Sequence, residues 1–120
     1  MRILELNHVA INVDDVDQSS RFYSEVLGLA PMPRPAFDFP GAWFRIGSAQ
    51  ELHLIGRAPE NRSPPRERHF ALRVDSIHAA EERLRGRGID FSAPKPRPDG
   101  ALQIFLRDPD GHVIELLTPP

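Results

Sequence analysis

Asn7-His8-Val9-Ala10-Ile11-Asn12-Val13-Asp14-Asp15 and Arg68-His69-Phe70-Ala71-Leu72-Arg73-Val74-Asp75-Ser76 carry one pattern twice. In the first, Val9, Ile11 and Val13 alternate with His8, Ala10 and Asn12; in the second, Phe70, Leu72 and Val74 alternate with His69, Ala71 and Arg73. A period of two is that of a half-buried strand, so strands are predicted over 4–13 and 68–74. Each run ends in residues that cap helices, Asp14-Asp15-Val16-Asp17 and Asp75-Ser76. Their short side chains accept hydrogen bonds from the first free backbone N–H groups of a helix.

Outward from these stretches the two halves keep the same order. Val16, Phe22, Tyr23, Val26 and Leu27 recur at helical spacing before Gly28, predicting a helix over 16–27 with a defined stop. Its counterpart runs from Ser76 to about Arg85, closed by Gly86 and Gly88. After the proline-rich stretch 31–40, 42–46 and 51–55 read as strands joined by a hairpin at Gly47-Ser48-Ala49-Gln50. In the second half, strands are expected at about 90–93, 101–107 and 112–118, the last two separated by the turn Asp108-Pro109-Asp110-Gly111. His8 and His69 stand 61 residues apart, and Leu52-His53-Leu54-Ile55 and Ile114-Glu115-Leu116-Leu117 stand 62 apart. The predicted fold is therefore α+β, two βαβββ modules of about 55 residues within one domain. Module 1 spans 1–57, module 2 spans 67–120, and 58–66, with Pro59, Pro64 and Pro65 and no apolar period, is the linker.

Composition narrows the function classes. The 120 residues include 15 basic and 17 acidic side chains, a net charge of −2, without the basic excess of a phosphate-tracking nucleic-acid binder. Cysteine is absent, which excludes disulfides, thiol nucleophiles and thiolate metal sites. No stretch reaches the ~20 apolar residues needed to span a bilayer. No apolar run follows Met1-Arg2, and the expectation is a cytoplasmic protein without nucleic-acid or membrane partners.

Each module places one polar side chain on its first strand and one on its last: His8 and His53, then His69 and Glu115. All four are flanked by apolar residues (Val9, Leu52 and Leu54, Phe70, Ile114 and Leu116), so alternation sets them on the face opposite the helix-packed core. Three imidazoles and a carboxylate suit a divalent metal ion such as Zn, Ni, Mn or Fe(II). A carboxylate amid Val113-Ile114 and Leu116-Leu117 is costly to bury without a partner, which strengthens the assignment of Glu115. His78 on the second helix and His112 beside a turn lack this phase and read as surface residues. Arg73 shares the face of His69, and Arg45 and Trp43 lie on the third strand; with Phe105 they are the candidate substrate contacts, the guanidiniums selecting an anionic small molecule. Phe44, Phe105 and Trp43 read equally well as core aromatics.

The first motif above, Arg21-Phe22-Tyr23 with Val26-Leu27-Gly28-Leu29, and Asp108-Pro109-Asp110-Gly111-His112-Val113-Ile114-Glu115-Leu116 together resemble the vicinal oxygen chelate superfamily of glyoxalase I, methylmalonyl-CoA epimerase, extradiol dioxygenases and the fosfomycin- and bleomycin-resistance proteins. The resemblance covers essentially the whole chain. It implies paired modules forming a cupped mixed sheet around a divalent metal in a homodimer, with His8, His69 and Glu115 at ligand positions. His53 occupies the position where glyoxalase I has Glu and the epimerase Gln, a departure from simple glyoxalase I identity. Lys95 and Arg97 resemble the basic loop of the fosfomycin-resistance enzymes, but Phe105 stands where those carry a tyrosine.

The leading expectation is a metal-dependent enzyme of lyase or isomerase type acting through a metal-stabilised enediolate or oxyanion, with Glu115 or His53 as base. Of the two, an imidazole titrates nearer neutrality. A non-haem Fe(II) dioxygenase built on His8, His69 and Glu115, and a resistance-type protein that binds a drug in a dimer cleft, are the alternatives.

Overall fold

The computed structural model describes all residues from 1 to 120. The chain divides into two units, Met1–Glu60 and Asn61–Pro120. Each contains one four-stranded mixed sheet and one helical segment, an α+β architecture.

In the first unit the strands are β1 (His8–Val13), β2 (Ala30–Met32), β3 (Gly41–Ile46) and β4 (Gln50–Gly56), in the order β1-β4-β3-β2. β1 runs parallel to β4, and the other pairs are antiparallel. The second unit repeats this plan with β5 (His69–Arg73), β6 (Lys95–Pro96), β7 (Leu102–Arg107) and β8 (Val113–Thr118), ordered β5-β8-β7-β6. The helices are α1 (Val16–Arg21) and α2 (Ile77–Gly86). The Asp15 side chain caps α1 by accepting from Gln18 N–H, and Ser76 caps α2 through Ala79 N–H. Val13, Tyr23, Phe44, Leu52 and Leu54 form the first core; Ile77, Leu84, Ile104, Ile114 and Leu116 form the second.

Four expectations need correction. The first strand begins at His8, not residue 4, and Ile3, Leu4 and Leu6 are exposed. β4 offers its last backbone bond at Glu51 N–H to Asn7 O, and the chain preceding it is the hairpin turn, so residues upstream of Asn7 have nothing to pair with. The helix predicted over 16–27 is α-helical only to Arg21 and widens into a π turn over Phe22–Val26. That wider turn lets adjacent aromatics, Phe22 and Tyr23, both reach the core. The strand expected at 90–93 is a single bridge, Phe91 to Leu106, while Lys95–Pro96 takes the edge of the sheet. The presumed linker is also not free of the second unit. Arg62 binds the buried Asp110 at 2.8 Å, Pro64 is buried, and Arg107 donates to Pro64 O.

Candidate metal centre

In the first unit, pairing sets three rings in a row. Parallel register places Ala10 opposite His53, so His8, two residues before Ala10, shares its face, and β3 puts Trp43 directly opposite His53. His8 stacks on His53 with centroids 4.1 Å apart and planes 17° apart; Trp43 stacks on the other side at 3.9 Å and 1°. Each imidazole has one nitrogen occupied. His8 Nδ1 lies 2.8 Å from Asn7 Oδ1, leaving Nε2. His53 Nε2 lies 2.8 Å from Glu51 Oε1, leaving Nδ1. Glu51 is itself held by Arg45 at 3.4 Å, so the guanidinium expected to meet substrate is engaged with a carboxylate beside His53.

The second unit has the more telling geometry. Glu115 is only 4% exposed, and its Oε1 accepts from Gln103 Nε2 at 2.7 Å. Its Oε2 faces His69 Nε2 at 2.9 Å. His69 Nδ1 lies 2.7 Å from the carbonyl of Arg66, a group that can only accept. A neutral imidazole has one proton, and that carbonyl claims it. The Nε2 lone pair then faces a carboxylate across 2.9 Å, a contact that demands a cation, either a second proton or a metal ion. Phe105, opposite Glu115 in register, meets His69 edge to face at 5.4 Å and carries the Arg66 guanidinium over its ring at 4.6 Å.

The four ligand-type side chains thus stand as two pairs, one in each unit, and no group of three or more His, Asp or Glu side chains is arranged to hold a metal ion. Arg73 is exposed at the end of β5. His78 is exposed and pairs with Glu82, while the backbone N–H of His112 donates to Asp108. Arg97 binds Asp99 through two contacts of 3.0 and 2.6 Å, and this holds the Asp99 carboxyl down at about 2. A separate cleft of about 470 Å³, lined by Arg21, Ser24, Arg34 and Trp43 among others, touches none of the four. Glu51 and Gln103 were missed from sequence. Each has a signal in retrospect: Glu51 lies two residues before His53 on the same strand face, and Gln103 shares its face of β7 with Phe105.

The donor set fits a divalent ion chemically. Three imidazoles each have one nitrogen pinned by an oxygen acceptor, the arrangement that orients metal-bound histidines, and a buried carboxylate supplies charge. No helix is long and apolar enough to cross a membrane.

The chain is 32% identical over 125 residues to Glyoxylase I 4 of Arabidopsis thaliana, covering 97% of this chain and 71% of that one. It is 30% identical to a probable lactoylglutathione lyase of Synechocystis sp., covering 93% of each. Among solved structures, the antibiotic binding protein TnmS3 of Streptomyces sp. CB03234 matches with a TM-score of 0.81 and 30% identity, covering 100% of this chain and 99% of that one. A family model spans residues 5–116. With its repeated βαβββ sheets and that match, the chain belongs to the Glyoxalase/Bleomycin resistance protein/Dioxygenase superfamily.

Proposed function

We infer that this protein is a divalent-metal-dependent enzyme of lyase or isomerase type, acting on a small molecule with neighbouring oxygens. His8, His53, His69 and Glu115 are the metal ligands, brought to one ion in a homodimer. The observation that carries this is the His69–Glu115 contact, an imidazole nitrogen 2.9 Å from a buried carboxylate oxygen. The ion would chelate the two oxygens and stabilise negative charge developing on them.

The chain's own residues supply the proton transfer. His53 is oriented by Glu51 through Nε2, so Nδ1 is its one coordinating nitrogen; on leaving the ion as substrate binds, Nδ1 would take a proton from the carbon beside a carbonyl and return it to the neighbouring carbon. Glu115 is the second such group. Arg45 orients Glu51, and Trp43 holds the His53 ring plane. Arg73, exposed at the end of β5, would meet an anionic substrate.

The test is metal content after purification, measured for the wild type and for His8→Ala and Glu115→Ala. It is joined to deuterium uptake from D2O at the carbon beside the carbonyl of an α-hydroxyketone. Loss of metal in both variants with metal-dependent exchange in the wild type is expected; unchanged metal content in both overturns the assignment. Oxygen consumption with Fe(II) would instead mark the dioxygenase chemistry. A second reading, capture of a ligand without turnover, draws on the open aromatic rings near Trp43 and the likeness to TnmS3, and it requires binding with no exchange.

A further inference from the structure

The cleft of about 470 Å³ in the first unit opens where two strands part. β2 pairs with β3 only as far as Met32 opposite Trp43, so the β3 edge at Gly41 and Ala42 has no β2 partner and lines the cleft instead. One wall is a single face of α1 and the π turn that continues it, with Asp17, Ser20, Arg21 and Ser24 at the spacing of residues that lie one above another. Met32 and Arg34 come from the other side of the cleft, from β2 and the chain just beyond it.

The charged groups of the α1 wall are unpaired. Asp17 and Arg21 stand four residues apart with the acid nearer the N-terminus, the favourable order for an ion pair on a helix. α2 closes both of its pairs at that spacing, His78 with Glu82 at 3.2 Å and Glu81 with Arg85 at 3.6 Å. Asp17 and Arg21 stand too far apart to pair, and neither side chain has another partner. The Ser20 hydroxyl is free as well, while that of Ser24 donates to Ser20 O at 2.8 Å and keeps its oxygen as an acceptor. Arg34 is fastened. It donates to Phe39 O at 2.9 Å, and its guanidinium lies 4.9 Å and 4.8 Å from the ring centres of Phe37 and Phe39. Gly41 makes room for it, since a Cβ there would stand 2.9 Å from two of its nitrogens. Its remaining donors are thus held at the cleft before any ligand arrives, which lowers the ordering cost of binding.

A purely anionic ligand is opposed by Asp17 and a purely cationic one by the two guanidiniums, whereas a molecule with both charges satisfies all three. From this we propose that the cleft binds a free α-amino acid with an apolar side chain. Its carboxylate meets Arg21 and Arg34, its ammonium meets Asp17, and its side chain lies against Met32. Two opposite charges on neighbouring positions of a helix face, too far apart to close on each other, are bridged by two charges borne on one carbon. None of His8, His53, His69 and Glu115 lines the cleft, so the inference is independent of the metal-centre reading.

Trp43 lines the cleft and is the single tryptophan of the chain, so its fluorescence reports occupancy. Protein stripped of metal with EDTA is titrated with leucine, with N-acetylleucine, which lacks the ammonium, and with leucinamide, which lacks the carboxylate. Leucine is expected to give a saturable change, and each of the other two to bind about tenfold more weakly. Asp17→Asn brings leucine and N-acetylleucine to nearly equal affinity, and Arg21→Gln narrows the gap between leucine and leucinamide; both side chains are exposed, so the fold tolerates the changes. No saturable signal with millimolar leucine, or discrimination unchanged in both variants, overturns the proposal. So does leucine binding that appears only with zinc, which would place the amino acid on the imidazoles. If Arg21→Gln instead converts a dimer to a monomer in sedimentation, the cleft is a subunit contact and the proposal falls.

Discussion

Replacing Glu115 with glutamine separates what the carboxylate does for folding from what it does for metal. The side chain is 4% exposed, with Gln103 Nε2 at 2.7 Å from one oxygen and His69 Nε2 at 2.9 Å from the other. An amide satisfies both neighbours: its oxygen accepts from Gln103, and its NH2 donates to the His69 lone pair. The metal-free variant should therefore match the wild type in urea unfolding to within about 1 kcal/mol. Glu115→Ala strands both partners and opens a cavity, and should cost about 2–4 kcal/mol. Zinc at about 100 times its dissociation constant adds about 2.7 kcal/mol to the wild type, and an affinity on the order of 100-fold weaker reduces that gain to about 0.4 kcal/mol in Glu115→Gln. Differential scanning calorimetry with and without zinc reads both numbers. A Glu115→Gln protein that retains the full zinc-dependent gain would refute the ligand assignment, and one destabilised by more than about 2 kcal/mol without metal would refute the hydrogen-bond accounting.

Three further outcomes follow from the same coordinates. Gln103→Leu removes the donor that holds Glu115 Oε1 and should weaken zinc binding about tenfold by calorimetric titration while Glu115 remains present. Gly111 has φ +92° and its α-carbon faces the Arg62 carbonyl where a Cβ would go, so Gly111→Ala should lose about 2 kcal/mol or more in urea unfolding. The Asp99 carboxyl lies below its ordinary value of 3.8, at about 2, through its bond to Arg97 and then the Ala101 N–H. Because the folded value is the lower one, the pair's stabilisation is complete above about pH 4 and disappears as pH falls through about 2. A carbon-detected NMR titration should show that midpoint and its rise towards the ordinary value in Arg97→Gln; no movement would exclude Arg97 as the cause.

Much of the scaffold was legible before any coordinates. Alternation around His8 and His69 and the repeat of cap, helix and strand follow from local preferences, which the chain expresses residue by residue. The same logic put His8, His53, His69 and Glu115 on the face opposite the helices. What failed was non-local. Residues 4–6 alternate like a strand but lack a partner for their backbone groups, and Phe22–Val26 has helical spacing but is wound as a π turn by the demand of two adjacent aromatics for one core.

Sequence alone thus determined the doubled βαβββ order, the caps and the strand face that His8 shares with His53 and His69 with Glu115, because strand period and capping are short-range. Tertiary structure alone decided that Glu51 and Gln103 hold His53 and Glu115, that Arg45 is engaged by Glu51, and that Arg34 joins Arg21 in one cleft. Those relations depend on strand register and loop path, which bring together groups whose separation along the chain says nothing of their distance in space.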